Sequence, residues 1–255
     1  MKWDPRQYDR FSDERGRPFY DLVDRIGATG PKQVIDLGCG PGTLTASLRT
    51  RWPEASIQGI DSSPEMIEQA AGLPDCDFAV DDIATWSPGA IGPDVIVSNA
   101  ALQWVPGHAD LLRSWAAALP AGGWLAWQVP ANFDSPSHVL MRELAESPRW
   151  ADQLSDVLRH ADAVLTSSAY TELLLCAGLQ ADVWETTYLH LLPGSDPVLE
   201  WVRGTGLRPV LAALCPTDAA EFEQHYAAAL RAAYPPIGEV TAFPFRRIFC
   251  VGHKP

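Results

Sequence analysis

The stretch "VIDLGCGPGTL", Val34 to Leu44, decides how the rest of the chain is read. An apolar, β-branched run is interrupted by an acid, Asp36, and then meets glycine at positions 38, 40 and 42. Glycine at alternate positions marks a turn that needs positive φ, or one where a ligand comes close to the backbone. The next segment, "TLTASLRTRW", has helical spacing. Strand, glycine turn and helix in that order make the corner of an open parallel sheet where ligands lie at the carboxyl ends of the strands.

The same alternation continues outward. "SIQGID" reads as a second strand ending in Asp61, and "SPEMIEQA" as a helix capped by Ser63 with Pro64 at its first position. "CDFAVDD" is a third strand, and "PDVIVSNA" a fourth whose four consecutive apolar residues mark a strand covered on both faces. "HADLLRSWAAALPAGG" is an amphipathic helix, followed by a fifth strand, "WLAWQVP". This pattern predicts a doubly wound α/β domain. Beyond Val129 the chain turns helical over "HVLMRELAESPRW", "WADQLSDVLRHA" and "SSAYTELLLCAGL", the last with Ser168 as its expected cap. A strand, "ADVWETTYLHLL", is then followed by helices over "DPVLEWVRGTGLRPVLAAL" and "TDAAEFEQHYAAALRAAY". "AFPFRRIFCVGHK" closes the chain as a strand, so a helical insertion precedes the last strand.

Composition narrows the partners. The chain has 255 residues, 47% hydrophobic and 20% charged, which is the composition of a soluble globule. Its formal net charge of −13 repels nucleic acid and anionic membrane, so neither is expected as a partner. No apolar run approaches a membrane span, and the start "MKWDPRQYDR" is not a signal peptide. A cytoplasmic protein is expected. Cys39, Cys76, Cys176, Cys215 and Cys250 are widely and irregularly spaced, with no C-x-x-C, so no metal site or disulfide framework is read from them.

The glycine spacing G-x-G-x-G departs from the dinucleotide G-x-G-x-x-G, and Asp36 stands two residues before its first glycine. A carboxylate there opposes a pyrophosphate and favours a cationic ligand. That argues against a nicotinamide-dependent oxidoreductase. Asp61 stands where an acid holds ribose hydroxyls. Asp81 and Asp82 end the third strand, with an acceptor for an adenine amino group, and Asn99 ends the fourth. Four strand ends thus bring acids or an amide to one crevice.

"VIDLGCGPG", "GIDSSPEMI", "DDIATW" and "IVSNAALQWV" resemble the class I S-adenosylmethionine-dependent methyltransferases. The resemblance covers Val34 to Val129. It implies a Rossmann-like, mostly parallel seven-stranded sheet with a reversed last strand, and S-adenosyl-L-methionine as cofactor, leaving as S-adenosyl-L-homocysteine. It places Gly38 and Gly40 along the methionine part of the cofactor, Asp61 on the ribose, Met66 and Ile83 beside the adenine and Asp82 on its amino group. Asp36, Asn99 and Tyr8 complete the expected cofactor set.

The flanking segments "WDPRQYDRFSDERGRPFYDLVDRI", "NAALQWVPGH", "GGWLAWQVPANFDSPSH", "EWVRGTGLRP" and "FPFRRIFCVG" resemble the trans-aconitate 2-methyltransferase branch of that family. Members often carry a lysine where Arg203 stands. The branch implies a small tricarboxylate substrate and carboxyl O-methylation. A different small-acid or metabolite acceptor is the alternative, and a binder of the cofactor without catalysis a further one. A carboxylate is already ionised near neutral pH, so no general base and no catalytic residue are expected, only alignment and exclusion of water. Arginines are the expected readers of the remaining carboxylates. Arg203 and Arg208 lie in "WVRGTGLRP", Arg15 near the start, and Arg246 and Arg247 on opposite faces of the last strand, of which Arg247 is placed in the site. Trp104 and Gln128 join the expected substrate set, and Tyr8 lies in a segment expected to close as a lid. His108 and His138 are read as structural. The expected organisation is an N-terminal lid and first helix over 1–30, a cofactor-binding domain over 31–192 and 240–255, and a helical substrate-recognition insertion over 193–239. A monomer or weak homodimer is expected.

Overall fold

The computed structural model describes residues 12–89, 92–155, 157–158 and 163–255. Seven strands form one sheet in the order β3-β2-β1-β4-β5-β7-β6. They are β1 (Gln33–Leu37), β2 (Ser56–Asp61), β3 (Asp77–Val80), β4 (Val95–Asn99), β5 (Trp124–Pro130), β6 (Gln180–Pro193) and β7 (Val240–His253). Strands β1 to β5 pair in parallel, and β7 runs antiparallel to β5. The seven-stranded sheet with a reversed last strand is therefore present, and the chain order changes direction at β1 and β4. That switch point opens the crevice at the carboxyl ends of β1 and β4.

Ten helices lie among the described residues: α1 (Ser12–Val23), α2 (Thr43–Arg51), α3 (Pro64–Ala70), α4 (His108–Ala118), α5 (Pro136–Ala145), α6 (Ala151–Leu154), α7 (Ser167–Cys176), α8 (Pro197–Arg203), α9 (Arg208–Ala213) and α10 (Pro216–Ala233). A 3₁₀ turn, Leu102–Trp104, follows β4. Ser63 caps α3 as expected, its hydroxyl accepting from Met66 N at 3.3 Å. The cap of α7 is Thr166 and not Ser168, because Thr166 is the extended residue whose hydroxyl accepts from Ala169 N. The helix expected over 196–214 is two, α8 and α9, broken at Gly204–Leu207, and the one expected from Trp150 is only the single turn α6 among the described residues.

The described chain divides into two compact units. The first holds the residues up to Pro130 with Val164–Thr186 and Arg247–Pro255, and its core lies on both faces of the sheet, where the consecutive residues Val34 and Ile35, and Ile96 and Val97, are all buried. The second holds Ala131–Ala163 and Thr187–Arg246. It extends beyond the expected 193–239 insertion because α5 and α10 pack on each other. Tyr226 Oη donates to Ser137 O at 2.7 Å, Ser137 N donates to Tyr234 Oη at 3.0 Å, and Trp150 meets Phe222 edge to face. Nor is the second unit helical alone. Residues of β6 and β7 place His190, Trp201, Phe243 and Phe245 in one aromatic cluster.

Candidate active site

The cleft at the switch point, about 210 Å³ in volume, lies wholly within the first unit. Its floor is the glycine turn. Gly38 has φ +81°, and a Cβ there would overlap the Cβ of Ala101, so only glycine lets the turn and the segment after β4 close on each other. Gly40, at φ +56°, is different: an added Cβ would meet nothing within 4 Å, because its bare backbone faces the cleft.

The amides of this turn are already used. Gly38 N and Cys39 N both donate to Ile60 O, at 2.8 and 3.0 Å, and Gly40 N donates to Asp61 Oδ2 at 3.0 Å. None of the three is left to cradle a phosphate, as a pyrophosphate loop requires. Asp61 holds two turns at once, because its Oδ1 accepts from Ser63 N at 2.9 Å. Its remaining lone pairs lie on the cleft wall beside Ser62. Asp82 and Ile83 come from the segment after β3 and Met66 from α3. Met66 and Ile83 are buried, and Asp82 is exposed with Oδ1 accepting from Ala84 N at 2.9 Å. Thus Gly38, Gly40, Asp61, Met66, Asp82, Ile83 and Asn99 all line the cleft.

Asp36 does not. It is 2% exposed, sealed beneath the turn, and among the described residues only Thr45 Oγ1 reaches its Oδ2, at 2.6 Å, while Oδ1 has no hydrogen-bond partner. Burial, with the nearby Asp61 charge adding to it, raises its pKa from 3.8 to about 7, against the hydrogen bond from Thr45. Asp36, expected among the cofactor residues, is thus buried beneath the cleft and is no part of its wall.

The opposite wall follows β4. Ala100 adopts φ +54°, an uncommon value for a residue other than glycine, and Gln103 Nε2 donates to its carbonyl at 2.6 Å. This bend brings Ala101, Trp104 and Val105 to the cleft. His108 anchors the far end of the segment, with Nδ1 against Val105 O at 3.2 Å and Nε2 against Tyr170 Oη at 2.8 Å. It is structural, as expected, and it is the first residue of α4, after Gly107 at the N-cap. Burial holds its pKa below the usual histidine value. Ala100, Ala101 and Val105 were not identifiable as lining residues from sequence, because nothing in "NAALQWV" signals a left-handed alanine.

The residues expected at the substrate part company. Trp104 lines the cleft. Gln128 is fully buried, so it meets the cleft only through Asn99, whose Oδ1 accepts from Gln128 Nε2 at 2.7 Å. Arg247 is buried and Arg246 exposed, and Arg247 Nη1 donates to Gln128 Oε1 at 3.1 Å. Arg203, in the second unit, is held by acids of that unit: Glu200 three residues back on α8, and Glu223 on α10, which accepts from its Nε at 2.6 Å. Arg208 opens α9, half-buried. Tyr8 lies outside the described residues, as does the side chain of Arg15, whose backbone is in α1.

Comparison with known proteins agrees with this architecture. A family model described as "Methyltransferase domain" matches residues 8–182. A trans-aconitate 2-methyltransferase of Streptomyces avermitilis is 57% identical, the match covering 99% of this chain and 97% of that one. A protein of the same name from Rhodococcus jostii is 52% identical, with 98% of both chains covered. Among solved structures, the YcgJ protein of Bacillus subtilis superposes with a TM-score of 0.61 at 14% identity, over 93% of this chain and 98% of that one, which is likeness of fold alone. The chain belongs to the methyltransferase-domain family and, within it, to the trans-aconitate 2-methyltransferases.

Proposed function

We propose that this protein carries a methyl group from S-adenosyl-L-methionine to a carboxylate of trans-aconitate, giving a monomethyl ester and S-adenosyl-L-homocysteine. The observation that carries the reading is the cleft itself: its turn amides are turned away from any phosphate, and its walls carry Asp61 and Asp82. Such a set of acceptors fits a nucleoside with a positive charge and no phosphate. Full-length relatives at 50% identity and above carry the name of this reaction.

Asp61 would hold the ribose hydroxyls, Asp82 the adenine amino group, and Met66 and Ile83 the faces of the ring. Gly38 and Gly40 would run along the methionine part, with Asn99 at its far side. When bound, the cofactor supplies an electrophilic methyl group on a sulfonium. The substrate carboxylate is already ionised near neutral pH, so the chain need not remove a proton. Its own part is to align, to exclude water and to bind the remaining carboxylates. Trp104 would wall the site, Tyr8 and Arg15 would close over it, and Arg208 would read a carboxylate. The substrate is a free small molecule in this reading, the protein a cytoplasmic monomer or weak homodimer. Among the described residues no helix is long and apolar enough to cross a membrane.

The test is methyl-labelled S-adenosyl-L-methionine offered with trans-aconitate, cis-aconitate, isocitrate and citrate, scoring label released by alkali. Base-labile label in trans-aconitate is expected. Label in another acid alone would move the reading to that acceptor, and none in any acid would end it.

A further inference from the structure

Asn99, Gln128 and Arg247 form a hydrogen-bonded row on one face of the sheet. Asn99 stands opposite Gln128 in the parallel β4–β5 pair, and Phe249 opposite Gln128 in the antiparallel β5–β7 pair. Directly paired residues share a face, and Arg247 is two residues from Phe249, so all three side chains leave the sheet on the same side. The row runs from a buried cation to the cleft: Arg247 Nη1 to Gln128 Oε1, then Gln128 Nε2 to Asn99 Oδ1.

Its direction is dictated by chemistry. A guanidinium offers only donors. The Gln128 amide must therefore turn its oxygen to Arg247 and its NH₂ to Asn99. Asn99 must meet that NH₂ with its own oxygen. Its Nδ2 is what remains, with no acceptor among the described residues, on a residue that lines the cleft. An isolated asparagine can present either end. Here a reversed amide would face donor to donor inside a sheet where Gln128 has no access to water.

We propose that Gln128 and Arg247 are positioning residues that polarise Asn99, so that the β4 end of the cleft offers a hydrogen-bond donor to a carboxylate oxygen of the bound ligand. The ligand's identity rests on the function proposed above, in which both the cofactor's methionine portion and the acid substrate carry that group. The cleft then has two ends of opposite character. Acids occupy the β3–β2 side, and an amide donor backed by a cation occupies the β4–β5–β7 side.

The first test needs no ligand. In isotope-labelled full-length protein, the Nδ2 protons of Asn99 should exchange freely with solvent while the Nε2 protons of Gln128 are protected. Gln128→Glu keeps the shape but offers acceptors on both sides, so Asn99 should turn round and its Nδ2 protons become protected. Protection of Asn99 in the wild type, or no change in Gln128→Glu, overturns the proposal. The second test separates the two sources of carboxylate. Gln128→Glu should weaken either the Kd for S-adenosyl-L-homocysteine or the KM for trans-aconitate by about tenfold or more, with the other ligand within about twofold. Arg247→Met, which frees Gln128 to turn either way, should weaken the same ligand, and Arg247→Lys, still a donor-only cation, should recover it. Equal losses in the Lys and Met variants at unchanged Tm would place the guanidinium fork itself on the ligand and sink the relay. Should the wild type methylate no acid at all, the proposed function falls, while the exchange result still decides the relay.

Discussion

At Asp36 the fold seals a carboxyl away from water with a single hydroxyl for company. Its folded pKa of about 7 lies above the 3.8 of an exposed carboxyl. Between those two values the native state holds a proton that the unfolded state has lost, so stability falls as pH rises through that window and levels off above it. Asp36→Asn removes this slope. In cofactor-free protein, the Tm difference between Asp36→Asn and wild type should grow from pH 4 to pH 7 and then stay constant. Taking the difference cancels His108, whose lowered pKa acts in the opposite sense, its stabilisation being lost as pH falls below 6.5. A flat difference would mean that Asp36 is ionised throughout. Gly38 makes a steric prediction. Gly38→Ala forces a Cβ onto Ala101 at a positive φ, and should lower stability by about 1–3 kcal/mol and weaken S-adenosyl-L-homocysteine binding, both readable in one thermal-shift titration.

Among the elements, each of the seven strands was legible from its run of β-branched and aromatic residues between turn signals, and the order of strand and helix up to β5 followed from the same runs. Helix ends were less so. "LTSSAYTELL" offers three hydroxyls in a row, and only the backbone tells which one is extended enough to cap. Thr166→Ala should therefore lower stability by about 1 kcal/mol in urea unfolding, while Ser168→Ala stays within about 0.5 kcal/mol. The wall after β4 depends on the His108–Tyr170 pair, which ties α4 to α7. Tyr170→Phe leaves His108 Nε2 buried without its partner and should lower stability by about 1–3 kcal/mol. Because Val105 lines the cleft and accepts from the same ring, cofactor affinity should fall with it in a calorimetric titration.

Across the whole molecule, the two arginines of "WVRGTGLRP" separate. Arg203 is half-buried between two acids, so Arg203→Ala should lower the stability of the second unit by about 1 kcal/mol or less and leave the KM for the acid nearly unchanged. Arg208→Ala should raise that KM by about tenfold or more without moving cofactor affinity, and equal losses for both ligands would make Arg208 structural instead. The cofactor corner was legible in the sequence because it is built locally. Glycines, strand ends and capping residues lie within a few positions of one another, and their chemistry is written in residue type. The extent of the second unit was not, since it depends on α5 meeting α10 across a long stretch of chain. Nor could the sequence say whether Asp36 touches a ligand or lies beneath it, because burial belongs to the assembled sheet. The row of Asn99, Gln128 and Arg247 shows the limit most clearly. Arg247 and Gln128 are 119 residues apart, and alternation along a strand says only that neighbouring side chains point opposite ways. Which strand lies beside which, and in what register, is decided by tertiary pairing alone, and that pairing sets Arg247, Gln128 and Asn99 in one hydrogen-bonded row.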